Sequence, residues 1–446
     1  MFVFLRRNLL RIGLTLLAGL SAGQAQALPA YARQTGNDCT ACHVGAFGPQ
    51  LTPYGVKFKI GGYTEGKRGI PLSAMAIASF NHTTADQPGG AAEHFGANDN
   101  VALDEASVFL AGKLTDHIGS FSQVTYSGID RRFSWDNVDL RYARELRLFG
   151  KDSVFGVTLN NSPSIQDPWN TLPVWGYPYT GSDLAPGPLG NPLLAEGIGQ
   201  QVLGLTTYIH FNDWVYAEAG AYRGLPHDFQ GHLGLAEEDR QQVRGPAPYW
   251  RVAVAHEFKR QYASFGIFGL NASIQPDQIN PSDKFHDVGI DASYQYLGTR
   301  RHIFAVNARL VREQQALYST FGNGGADNLK QSLTAYTING SYYFHNTYGF
   351  SVGAFGNSGS TDQTLYPAED IGGSRVGRPN SQGYVFQADW TPTGKESSFL
   401  PAWANFRVGL QYTAYSKFNG ASNNYDGAGR SASDNNTLFL FLWTAF

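Results

Sequence analysis

Charge, sulfur and long apolar runs are all scarce in this chain. Only 15% of its 446 residues are charged, where an average soluble domain carries about 25%. Low charge is a membrane signature, yet past the N-terminus there is no run of about 18 apolar residues, which excludes helical membrane spans. A formal net charge of −3 gives nucleic acid no electrostatic hold. An aromatic content of 14% argues against disorder. In place of charge stand 52 Gly, 24 Tyr and 29 Phe, with many Asn, Ser and Thr. What remains is a large all-β protein, either secreted or set in an outer membrane as a barrel.

The first residues speak for export. Arg6, Arg7 and Arg11 form a basic head, Ile12 to Leu20 a short apolar core, and Ala25-Gln26-Ala27 a small-x-small cleavage site. This pattern predicts a secretory signal over residues 1–27, with Leu28 as the new N-terminus. Its removal takes away three Arg and no acid, leaving 30 basic against 36 acidic residues, or −6. The Arg6-Arg7 pair faintly resembles a twin-arginine signal. That route carries folded proteins, which does not suit a barrel, so ordinary unfolded export is expected.

Both cysteines lie in one run, Cys39-Thr40-Ala41-Cys42-His43. Cys-x-x-Cys-His is the attachment signature of c-type haem. Two thiols at this spacing match the two vinyl groups, and the adjacent His reaches the iron as proximal ligand. A zinc site would need two further ligands nearby, and a thioredoxin-like pair would need a βαβ setting, which is absent. Chance placement of the only two Cys in this way is on the order of one in ten thousand. One covalent c-type haem is therefore expected, on Cys39 and Cys42 with His43. The segment holding it, residues 28–70, is too small for a core of its own. Something else in the chain must enclose it.

Residues 71–446 read as strands. Val138, Leu140, Tyr142, Leu146 and Leu148 alternate with Asp139, Arg141, Glu145 and Arg147. Trp250, Val252, Val254 and Phe258 alternate with Arg251, Ala253, Ala255 and Glu257, and Phe406, Val408, Leu410 and Tyr412 with Asn405, Arg407, Gln411 and Thr413. Polar residues on the second face suit a water-filled lumen. The chain ends Thr437-Leu-Phe-Leu-Phe-Leu-Trp-Thr-Ala-Phe446, an apolar strand that resembles the signal read by the outer-membrane assembly machinery. Seven short turns, near 115–119, 149–152, 211–213, 259–261, 298–300, 345–347 and 392–402, interleave with eight long polar loops. The loops fall near 82–101, 129–137, 162–196, 223–247, 273–283, 312–331, 358–380 and 416–436. The expectation is an antiparallel outer-membrane β-barrel of about 16 strands, with the short turns in the periplasm.

A mono-haem segment fused in front of such a barrel resembles the fused cytochrome–porin family, whose best-known members are outer-membrane Fe(II) oxidases. The resemblance spans the mature chain in architecture. In motif it rests on Ala32-Arg33-Gln34-Thr35-Gly36, Cys39 to His43, Leu51-Thr52-Pro53-Tyr54-Gly55, Phe58-Lys59 and Gly62-Tyr63. It implies haem on Cys39 and Cys42, His43 as proximal ligand, and a cytochrome plugging the lumen. It also implies extracellular Fe(II) or another reductant as donor, a periplasmic cytochrome or other soluble carrier as acceptor, outer-membrane lipid around the barrel, and an Fe(II) oxidase activity.

The sixth iron ligand is open in the sequence. After signal removal Met75 is the only methionine; with Leu72, Ala74, Ala76 and Ala78 outward, it points into the lumen. A thioether there would raise the potential. Packing against the plug, ligation by His82 or His94, and an open site are the alternatives. The histidines at 117, 210, 227, 232, 256, 286, 302 and 345 are scattered singly and read as structural or exposed. Acids in the long loops, Asp86, Glu93, Asp99, Glu237, Glu238, Asp239, Asp327, Glu369 and Asp370, could attract a cation or simply be solvated. A haem-plugged diffusion porin, a redox-gated channel and outward electron export are the competing functions.

Overall fold

The computed structural model describes residues 29–237, 240–276, 280–396, 398–400 and 404–446. The signal read at residues 1–27 and the acids Glu238 and Asp239 lie outside the described residues. Period-two alternation becomes a closed sheet. Sixteen antiparallel strands, numbered in chain order from β1 (Leu72–Thr83) to β16 (Thr437–Ala445), each pair with the next, and β16 pairs back onto β1. The seam runs from Met75 opposite Ala445 to Thr83 opposite Thr437. Closure leaves no edge strand, so the wall satisfies its own backbone groups, the condition for crossing lipid with strands.

Alternate side chains face out and in. On β8 (Pro246–Phe258) Val252 and Val254 are exposed outside, while Arg251, Ala253 and Ala255 are buried inside. On β15 (Asn405–Lys417) Leu410 and Tyr412 face out, and Asn405, Arg407 and Gln411 face in. Val108, Leu205, Ile267, Ile290, Ile338 and Leu440 belong to an exposed apolar belt. A belt of that size belongs against acyl chains. Trp214, Phe258, Tyr348, Trp390 and Phe446 are exposed near the short-turn rim, where an aromatic girdle meets headgroups. The protein is an outer-membrane β-barrel.

The seven short connections fall where alternation placed them, at residues 114–117, 149–150, 212–214, 259–260, 297–301, 345–347 and 391–404. Two of the long ones differ from expectation. The segment read as a loop at 129–137 is a tight connection of residues 128–131, because β3 (Ile118–Ser127) and β4 (Arg132–Leu148) pair up to Ser127 opposite Arg132. Asp136 and Asn137 looked like loop residues because a wet lumen selects the same polar types as a solvated loop. There Thr125 Oγ1 donates to Asp136 at 2.9 Å.

The second correction concerns the loop read at 162–196. It spans residues 161–201 and folds back into the barrel, burying Ser164, Ile165, Gln166, Asp167, Trp169 and Leu172. Asp167 organises the turn, accepting from the backbone N–H of Trp169, Thr171 and Leu172 at 3.1, 2.8 and 3.0 Å. The oxygen that accepts from Trp169 also lies 3.4 Å from Arg251 on the barrel wall, which holds Asp291 as well at 2.9 and 3.0 Å. Those polar groups are buried because the wall supplies their partners.

Candidate functional site

Three short helices precede the barrel: α1 (Pro29–Thr35), α2 (Cys39–Cys42) and α3 (Pro53–Ile60). They sit inside the barrel mouth at the short-turn end. Tyr31 OH donates to the Ser120 carbonyl at 2.7 Å, Lys57 pairs with Asp213 at 2.8 Å, and Arg300 donates to the Thr40 carbonyl at 3.2 Å. Each barrel partner lies in or beside a short turn. The expected plug is thus in place, and the wall supplies the core that so short a segment lacks.

Two fully buried arginines hold it from within. Arg141 pairs with Asp139 at 2.6 Å and donates to the Lys59 carbonyl at 3.0 Å and to Gln166 O of the inward loop at 2.7 Å. Arg407 donates to the Gly45 carbonyl at 3.0 Å. Alternation placed Arg141, Arg251 and Arg407 on the lumen face; their grip on plug and loop carried no sequence signal. Lys59 links the two as well, donating to Ile165 O and Asn170 Oδ1, both at 2.8 Å.

The cysteine run forms α2, a single turn, with His43 following as its C-cap and its N–H donating to the Cys39 carbonyl at 2.8 Å. Thr52 caps α3 through Gly55 N at 3.3 Å and donates its hydroxyl back to the Ala41 carbonyl, with Pro53 opening the helix. This brings α3 so close to α2 that a Cβ on Gly55 would stand 2.4 Å from the Cys42 carbonyl oxygen. Gly45, at φ +74°, is under the same constraint, since a Cβ there would enter the Tyr343 ring.

Cys39, Cys42, His43 and Met75 line one cavity of about 660 Å³ between plug, inward loop and β1. Phe47, Leu51, Phe58, Ile77, Phe109, Trp175 and Trp443 give it apolar walls. Neither cysteine is in a disulfide; Cys39 is buried and accepts a 3.2 Å hydrogen bond from Asn405 Nδ2 of β15. Burial pushes the Cys42 thiol up to about 12 and the His43 imidazole down to about 4, keeping both neutral at pH 7. His43 Nδ1 is buried without a well-formed hydrogen bond, and only the Gly48 backbone lies near enough to favour its charged form.

Met75 points inward as alternation required, packing beside Phe47, Ile77 and Trp443. The other ligand candidates are elsewhere. His82 faces outward near the long-loop end and pairs with Asp99 at 2.8 Å, and His94 lies in the first long loop beside Glu93 at 3.3 Å. Neither lines the cavity. Asp86, Glu93, Asp99, Glu237, Asp327, Glu369 and Asp370 are exposed on the long loops, and among the described residues no group of His, Cys, Asp and Glu converges as a metal cage.

Comparison with known proteins gives fold-level likeness only. No family profile matches the chain. No curated protein matches it either. Solved structures that are similar include the outer membrane channel DcaP of Acinetobacter baumannii, at 12% identity and TM-score 0.44, covering 84% of this chain and 96% of that one. An anion-selective porin from Comamonas acidovorans is similar at 10% identity and TM-score 0.44, covering 84% of this chain and 98% of the other. OprB of Pseudomonas putida is similar at 11% identity and TM-score 0.45, with 84% and 93% covered.

Proposed function

We propose that this barrel is an outer-membrane electron-transfer protein of the fused cytochrome–porin kind. It would take single electrons from an extracellular donor, Fe(II) by the resemblance, and hand them to a periplasmic carrier. The observation that supports this most is the shared cavity of Cys39, Cys42, His43 and Met75. Its volume lies within the range of small-molecule sites, and Phe47, Leu51, Phe58, Ile77, Phe109, Trp175 and Trp443 give it apolar walls beside a polar remainder. The residues present fit a c-type haem. Cys39 and Cys42, at the attachment spacing, would hold it, and His43 and Met75 would be the candidate iron ligands. Bound there, such a group supplies a one-electron iron couple.

The chain's own part is to anchor, orient and exclude water. Asn405 positions Cys39 from the barrel wall, and Arg407 fixes the Gly45 carbonyl two residues beyond His43. Burial keeps the His43 imidazole neutral and able to bind metal. Met75→Ala should keep covalent haem yet lower the midpoint potential and remove the low-spin methionine signature; Met75→His should restore six-coordination at a lower potential. Spectra and potentials unchanged in both variants would sink the ligand assignment.

A second reading follows from the wall itself. A closed barrel of sixteen strands is wide enough to pass small solutes, and a haem-plugged diffusion porin or redox-gated channel would use the same parts. Planar-bilayer conductance separates the two. Electron transfer predicts a closed intact protein and open channels only when residues 29–66 are deleted; steady conductance from the intact chain favours the porin.

A further inference from the structure

On the outward side of the cysteine-lined cavity, which Lys59 and Arg309 also line, the lumen carries acids that form no ion pair among the described residues. The pairing of β1 with β2 (Asn100–Lys113) slips at one point: Ile77 stands opposite Glu105 and Ala78 opposite Leu103, so Asp104 is a bulge residue. A bulge re-aims side chains. Here it turns two successive carboxylates inward. Asp104 is 6% exposed and neither of its oxygens has a well-formed hydrogen bond, with Ser79 of β1 the nearest side-chain donor. Ser79 and Asn81, inward on β1 beside it, are also buried with unpartnered polar atoms. Glu105 and Asp136 line the same cavity as Cys42, His43 and Met75, and Asp183 of the inward loop faces both Asp104 and Glu105.

Four carboxylates therefore share one stretch of lumen, and among the described residues none of them forms an ion pair. Of the other buried lumen acids, Asp139, Asp167, Asp291 and Asp389 each have an arginine, while Glu218, Asp287 and Glu313 accept hydrogen bonds from Thr206 and Tyr216, from the Leu194 N–H and from the Leu193 N–H. Asp104 is buried, Glu105 and Asp136 are half-buried and Asp183 is exposed on the loop; the buried charge without a counter-charge is the costly one. A small cation supplies the missing charge, and the unpartnered oxygens supply acceptors for its water. The four do not converge on one point, so a hydrated ion fits and a stripped one does not.

We propose that Asp104, Glu105, Asp136 and Asp183 form a binding site for a hydrated divalent cation on the outer side of the cavity. By strand geometry Glu105 Cα stands roughly 8 Å from that of Met75, two residues along β1 from its partner Ile77. A cationic one-electron donor arriving through the long loops is thus held one rung from the cavity's methionine. This step rests on the electron-transfer reading for its purpose, though not for its existence.

The test uses Mn(II), which is redox-silent here, titrated into the detergent-solubilised mature protein while the free aquo ion is followed by EPR. One bound Mn(II) per chain is expected. Asp104→Asn combined with Glu105→Gln should weaken binding at least tenfold, and the milder Asp136→Asn at least threefold. Glu369→Gln with Asp370→Asn, on an exposed loop, should change nothing. Heat-modifiable migration checks that each barrel is folded. A chain with Cys39→Ala and Cys42→Ala should still bind Mn(II), so a failed haem assignment is distinguishable from a failed cation site. Absence of a bound ion in the wild type, or equal affinity in the Asp104/Glu105 double variant, overturns the proposal.

Discussion

At the scale of single residues the site depends on close approach as much as on ligands. Gly55 lets α3 lie against the cysteine turn, where any Cβ would meet the Cys42 carbonyl at 2.4 Å. Gly55→Ala must push α3 off that turn, at a cost of about 1–3 kcal/mol. We expect less haem per chain and faster proteolysis of residues 36–70, with barrel heat-modifiability intact because the wall closes on itself. Gly69→Ala, with open space around it, is the control. Equal haem content in both variants would show that this contact does not order the plug. Spacing alone singled out Cys39, Cys42 and His43, which the structure places on one cavity. It revealed the direction of Met75 through the alternation of its neighbours. Glu105 and Asp136 stayed hidden: the alternation of β2 breaks at the bulge, and Asp136 sits where composition read as loop.

At the scale of elements, strands were legible and the inward loop was not. Each short turn was marked because alternation stops there and resumes with a shifted face. A loop folded into a wet barrel keeps the Asn, Asp, Ser and Pro content of a solvated one, so residues 161–201 gave no sign of burial. What holds that loop is the buried charge of Asp167 against Arg251, with three backbone N–H groups on the same carboxylate. Asp167→Ala breaks a buried pair and uncaps the turn, a loss of about 3–5 kcal/mol. Added protease should then cut within residues 161–201 of the folded barrel while sparing the wild type. Protection of the variant would mean that packing of Trp169 and Leu172 alone retains the loop.

At the scale of the whole molecule, a closed wall provides what the short N-terminal segment cannot provide for itself. Three helices of 7, 4 and 8 residues touch one another at Gly55 and at the Tyr31–Phe58 ring pair, and bury the rest of their groups against barrel side chains. The barrel reverses the usual relation of core and surface, with apolar side chains outside and Arg141, Arg251 and Arg407 at the centre. Plug and inward loop both answer to those arginines, which couples the cysteine turn to the wall around it. On the proposed function this enclosure holds one covalent haem. The direct measurement is haem per chain on the purified mature protein, by peroxidase stain on a denaturing gel and by the reduced pyridine haemochrome spectrum. One haem per chain, surviving denaturation and lost in the Cys39→Ala, Cys42→Ala variant, is the predicted result. A wild-type barrel that is folded and heat-modifiable yet carries no covalent haem, when made in a host with haem-attachment machinery, would contradict it.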